Sequence, residues 1–277
     1  MTQTMTEQKT QRSSNRIAEI DILRGIAVFL MIFDHMMFDI FGLMPSVFAD
    51  FPRAGFSAAL CRAAQSYWSW DVRIVLRYAV VFVFLSVTGI CCSFSRSNLK
   101  RGCRLMLVAL ALTAVTLGVG ILVDDIDMMV AFGVLHCIAL TLIIIGLLEK
   151  LGTGKWVYLA LGVLMLIIGI MLESESRFVS FERGEIPMTV LRAVLGFVSC
   201  GSDSFPLPLN GGQIFIGVFL GKHLYSQRRS LIKNAKYPEN SLTLVGRHSL
   251  AVYCAHQMII PLIFGVILLL CGFSISI

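Results

Sequence analysis

Stretches of mainly apolar sequence recur along this chain at about 18–43, 73–95, 104–123, 128–148, 155–172, 210–226 and 249–275. A membrane span needs about 20 such residues, and in lipid every backbone polar group must be paired internally, so these stretches read as helices. The expected fold is all-α: a polytopic integral membrane protein with about seven transmembrane helices, the pattern allowing six to eight. Ile186–Cys200 is apolar but short, and is expected to form a re-entrant or surface-lying helix near 186–200. Composition agrees. Of 277 residues, 57% are hydrophobic and 14% charged, whereas soluble domains carry about 25% charged residues. Residues 1–15 are polar and are expected to be a disordered cytoplasmic tail, with 16–277 a single transmembrane domain. Residues 44–72 read as an aromatic-rich loop that lies in the membrane interface or caps a cavity. Basic residues precede the first stretch, as in a secretion signal. That stretch is too long, holds ionisable residues and lacks a small-residue cleavage site, so it is expected to be retained.

The net charge of +6 does not point to nucleic acid, because the basic residues sit in short loops between spans. Fifteen of the 23 Lys and Arg residues fall on one side of a seven-span arrangement, among them Arg16, Arg104, Lys150 and Arg247. The opposite loops carry Asp124, Asp125, Asp127, Glu173, Glu175, Glu182 and Glu185. The positive-inside rule then places the N-terminus in the cytoplasm and the C-terminus outside, in the cell membrane. Arg73 and Arg77, near the start of the second span, are expected to snorkel to the headgroups. The eight cysteines show no CxxC and no Cys/His spacing suited to zinc, so no metal is expected. They read as apolar packing residues, and the sequence does not decide whether Cys61 and Cys200 pair.

The first span carries too many charges for a plain anchor. Asp21, Arg24, Asp34, His35 and Asp39 all lie within it. Charged groups at membrane depth cost a few kcal/mol each and normally face protein or a water-filled cavity. At about 100° per residue, Arg24 and His35 differ by only about 20° around the helix, and Asp21 and Asp39 lie about 40° from His35. Asp34 falls about 100° away and is expected to make a structural contact instead. His35 is the one group on this stripe whose ordinary pKa lies near neutrality, so it is the expected acid–base residue. Asp39, one turn on, is expected to orient it, and Arg24 suits an anionic ligand or Asp21. His136, the adjacent His256 and Gln257, and Arg247 are the further polar residues nominated for substrate binding. His223 and His248 lie near loop ends and read as solvated. Taken alone, these residues suit either a membrane enzyme or a small proton- or anion-coupled transporter.

The blocks EIDILRGIAVFLMIFDHMMFD, VFVFLSVTGICCSFSRSNLKRG, FGVLHCIAL, DSFPLPLNGGQIFIGVFLGKHLY and LVGRHSLAVYCAHQ add a resemblance. In this order they resemble the heparan-alpha-glucosaminide N-acetyltransferase catalytic-domain family, in its short prokaryotic branch, within the wider transmembrane acyltransferase group. The resemblance covers about 16–262. It implies transfer of an acyl group, often acetyl, from cytosolic acyl-CoA to a sugar, glycolipid or polysaccharide acceptor on the far side. The acyl-CoA is then a substrate, and no permanently bound cofactor is expected. Arg24 and His35 match the family's Arg-x10-His pair, to which donor positioning and acid–base chemistry are attributed. The animal enzymes are associated with an active histidine in the loop after this helix. Residues 44–72 contain no histidine, so that role does not carry over. Oligomeric state is left open, a dimer included.

Overall fold

A computed structural model describes residues 17–122, 124–182, 184–232, 238 and 240–275, so the expected tail 1–15 lies outside the described residues. Among the described residues the fold is all-α apart from one parallel pair of two-residue strands, β1 (Arg177–Phe178) and β2 (Val198–Ser199). The helices in chain order are α1 (Ala18–Val47), α2 (Phe56–Trp68), α3 (Asp71–Cys92), α4 (Asn98–Leu122), α5 (Val134–Lys150), α6 (Lys155–Glu173), α7 (Ile186–Leu195), α8 (Gly212–Leu224), α9 (Ser241–Arg247) and α10 (Ser249–Leu270). Among the described residues, α1, α3, α4, α6 and α10 are long and apolar enough to cross a membrane, five helices where about seven were expected. The shortfall lies in two short helices. α5 has 17 residues because it begins only at Val134, whose N–H donates to the Asp203 carboxylate at 3.1 Å. α8 has 13 residues because the preceding turn, Leu207–Gly211, contains Pro208 and is wound as a π turn.

The chain divides into two compact units, one of residues 1–84 with 232–277 and one of residues 85–231, with α3 divided between them. In the first unit α1 and α10 run parallel, held at both ends. At their starts, α9 lies directly on α1: a β-carbon at Gly25 would collide with the Leu242 carbonyl, and one at Gly246 with the Asp21 carbonyl. Only glycine allows two backbones this close. At their far ends, Ala49 N–H donates to Ser274 O at 3.1 Å, and Arg53 donates to Gly272 O at 2.8 Å while lying over the Phe273 ring. Met44, Phe48, Phe51 and Leu268 close a small core there.

Residues 44–72, read from sequence as a loop, instead hold helix α2. Its Leu60, Ala64 and Tyr67–Trp68 recur at three- to four-residue spacing, a period masked by the density of aromatics. It packs on α1 through Phe33–Tyr67, Phe38–Trp68 and Phe41–Trp68 ring contacts. The short helix α9 was also missed. Its start is a capping box, the Asn240 side chain accepting from Thr243 N and the Thr243 hydroxyl accepting from Asn240 N.

In the second unit α4 and α5 run antiparallel, Gly102 against Ile143 and Gly146 against Leu99. α6 and α8 are likewise antiparallel, Gly162 against Gly212 and Gly169 against Leu209. α3 and α8 are parallel, Ser86 against Gly217 and Ile90 against Gly221. The expected surface or re-entrant segment contains a ten-residue helix, α7, ended by Gly196 in the left-handed region at φ 92°. Met129, Ala131, Phe181, Ala193 and Cys200 form the core beneath it.

Candidate functional site

Asp34 and His35 are neighbours in α1, yet they meet different surroundings. Arg73, at the start of α3, donates from Nε to Asp34 Oδ1 at 2.7 Å and from Nη2 to Oδ2 at 2.9 Å. Tyr67 Oη donates to Asp34 Oδ1 at 3.1 Å. The Trp68 ring lies 3.3 Å from the guanidinium carbon of Arg73. Burial, then the Asp34 carboxylate, raises the Tyr67 phenol above its usual range. The structural contact expected for Asp34 is therefore a bidentate ion pair that ties α1, α2 and α3 together. Arg73 is correspondingly buried, at 7% exposure, and does not snorkel as the sequence suggested.

His35 faces α10. Its Nδ1 lies 2.8 Å from the Met31 carbonyl. A carbonyl only accepts, so Nδ1 carries a proton, and in the neutral ring Nε2 is left as the acceptor. The backbone thus takes the orienting role expected of Asp39. Asp39 is buried one turn on, opening the π turn Asp39–Leu43, with no hydrogen bond to His35 among the described residues. His256 repeats the arrangement from α10. Its Nδ1 lies 2.6 Å from the Tyr253 carbonyl, and its Nε2 is buried without a hydrogen-bond partner among the described residues. The His35 and His256 rings stand 5.1 Å apart, edge to face. Two imidazoles with the same fixed tautomer therefore meet between parallel helices, each keeping an acceptor nitrogen. Helical periodicity flagged His35, and polarity within a span flagged His256. That they meet follows only from the parallel packing of α1 and α10.

Toward the start of α1, Arg24 is partly buried, and its Nε has no hydrogen-bond partner among the described residues. Asp21 is buried beneath Gly246 of α9. Arg247 ends α9 and is exposed. Gln257 is exposed, off the buried face that His256 occupies, so the two adjacent polar residues do not act as one group. His136 belongs to the second unit. Thr113 Oγ1 donates to the Val130 carbonyl at 2.7 Å and therefore accepts from His136 Nε2 at 3.0 Å. His136 Nδ1 is then a buried acceptor, without a partner among the described residues. His223 is exposed and stacked on Phe219, and His248 is exposed, as expected of loop-end residues. Cys61 and Cys200 are both unpaired thiols. Burial, then Asp127, pushes the Cys200 thiol up to about 11. No cluster of three metal-ligating side chains occurs among the described residues.

Apolar spanning helices with an imidazole pair between two of them, His256 buried and His35 partly buried, define a class, the α-helical membrane protein with an intramembrane polar site. A comparison with family models narrows it. The model for heparan-alpha-glucosaminide N-acetyltransferase, catalytic, matches residues 16–258. The chain belongs to this family, and it is a transmembrane protein of the acetyltransferase type. No curated protein and no solved structure matches it.

Proposed function

We propose that this protein takes an acyl group, acetyl in the first instance, from cytosolic acyl-CoA and passes it to a sugar or glycoconjugate acceptor on the outer side. The observation that carries this reading is the His35–His256 pair, with Nδ1–H of each ring bonded to a backbone carbonyl and an Nε2 left to accept a proton. In this mechanism His35 Nε2 takes the proton from an acceptor hydroxyl or amine. The freed oxygen or nitrogen attacks the thioester carbon, the C–S bond breaks, and the CoA thiolate takes the proton back from the imidazolium. Enclosure between helices holds both reactants and limits hydrolysis. Arg24, roughly 16 Å below His35 along the helix, offers its unpartnered Nε to the anionic part of the donor. Arg247 and Asp21 flank it, and Asp39 adds negative charge near the imidazolium. Gln257 has no part in this reading, because it lies off the buried face that His256 occupies.

Helix directions support seven crossings rather than five. α4 and α5 are antiparallel, as are α6 and α8, and α3 and α8 are parallel. That alternation follows if α5 and α8 also traverse the bilayer, the π turn Leu207–Gly211 lengthening α8. With basic loops inside, the N-terminus is cytoplasmic and the C-terminus outside. The test uses protein reconstituted in liposomes with radiolabelled acetyl-CoA, offering glucosamine and extracted glycolipids as acceptors. The expected result is label transfer that His35→Ala lowers by about 100-fold or more while thermal unfolding is unchanged. Full transfer in His35→Ala would overturn the catalytic role. Uptake driven by a pH gradient without acyl-CoA would overturn the enzyme reading itself.

A further inference from the structure

The segment between α6 and α8 contains a helix that is apolar on both sides. On its inner face, Ile186, Val190 and Ala193 of α7 join the core of Met129, Phe181 and Cys200. On the opposite face, Met188, Leu191 and Leu195 are 58%, 51% and 42% exposed. Phe178 of β1 and Phe197 before β2 add exposed rings beside it. An all-round apolar helix is normally buried, so the outer face calls for a cover.

The level of α7 in the fold says which. α6 has 19 residues and so rises about 28 Å, close to the roughly 30 Å hydrocarbon thickness. Its last turn therefore lies at the boundary between acyl chains and headgroups, and Ile170 and Met171 there are exposed. A β-carbon at Gly196, the residue that ends α7, would be in van der Waals contact with Leu172 of that turn and with Pro206. α7 thus abuts the membrane boundary, and its apolar face continues the exposed end of α6. Arg192 lies at the rim of that face and Arg177 adjoins Phe178; both are exposed. Long basic side chains at this depth bury their stems and reach the phosphates. Glu182 and Glu185, also exposed, precede the helix and suit the water side.

We infer that α7 lies in the plane of the membrane interface as a monotopic helix, with Met188, Leu191, Leu195, Phe178 and Phe197 among phospholipid acyl chains and Arg177 and Arg192 at the headgroup phosphates. Interfacial helices of this type bind through buried apolar area with basic residues at the polar level. The inference concerns a surface outside the catalytic stripe and does not depend on the acyltransferase mechanism.

The test places a tryptophan on this face in the full chain, as Leu191→Trp and separately as Met188→Trp, each in nanodiscs. Both positions are exposed, so both variants are expected to fold, and the emission of Trp68, Trp70 and Trp156 is subtracted using the unsubstituted protein. The added tryptophan is expected to lose most of its emission to phospholipids brominated close to the headgroup. It should lose less to lipids brominated near the chain ends, and little to aqueous iodide. Quenching by iodide with none by brominated lipid would show a water-facing helix and overturn the inference. Protection from both quenchers would show a protein cover, and would overturn it equally.

Discussion

Asp34 and His35 differ by one residue and about 100° around the same helix. One side of α1 carries a carboxylate with both oxygens bonded to a buried guanidinium and a third bond from a phenol. The other side carries an imidazole whose Nδ1 bonds a backbone carbonyl, and it faces a second imidazole with a buried acceptor that has no partner among the described residues. A satisfied buried polar network holds elements together. An unsatisfied buried acceptor costs about 1–3 kcal/mol, and a site that must receive a proton or a ligand's donor group has reason to keep one. The first side accounts for how α1, α2 and α3 stay together, and the second is the side to which the proposed function assigns the chemistry.

This contrast predicts a ranking of effects on stability. Arg73→Ala leaves the partly buried Asp34 carboxylate without its ion-pair partner, so it should destabilise the protein most, by about 2–3 kcal/mol in denaturant unfolding of the solubilised protein. A loss well under 1 kcal/mol would remove the clamp from the account. Tyr67→Phe deletes one hydrogen bond to a charged acceptor and should cost about 1–2 kcal/mol in the same assay. His256→Phe keeps a ring in place while removing the unpartnered nitrogen. Its stability should stay within about 1 kcal/mol of the parent, or rise, while acyl transfer falls. A strongly destabilised His256→Phe would mean that both sides of α1 are structural, and the contrast would collapse.

The smallest effect belongs to Asp50→Asn, at the far end of α1. The Ser274 hydroxyl, then Arg53, holds the Asp50 carboxyl below its usual range. A carboxylate with a lowered folded-state pKa adds stability above its unfolded-state value, and that stability is lost as pH falls through the lowered one. Asp50 is exposed, so the substitution should lower the melting temperature only slightly at neutral pH. It should make no difference in strong acid. A difference that persists in acid would assign the effect to packing instead of charge.

The shape of the apolar pattern made the all-α membrane class legible, because twenty-residue runs have no other way to satisfy their backbone in lipid. Periodicity within α1 also separated Asp34 from the His35 stripe, since a regular helix fixes angular position from sequence alone. The limits of the pattern are equally physical. α5 begins late because of Asp203, which is 69 residues away, and no local signal marks that hydrogen bond. α2 has a readable period, but aromatic residues serve interfacial loops and amphipathic helices alike. Arg73 looked like a snorkelling residue because its partner is 39 positions distant on another helix.

Sequence by itself determined the class of protein, the charged stripe and the histidine at its centre, because these depend on composition and on the fixed geometry of one helix. Tertiary structure decided the rest. Parallel packing of α1 and α10 brings His256 against His35, and backbone carbonyls, not Asp39, fix both tautomers. Those relations depend on which surfaces pack together, and long-range packing leaves no periodicity in the chain to read.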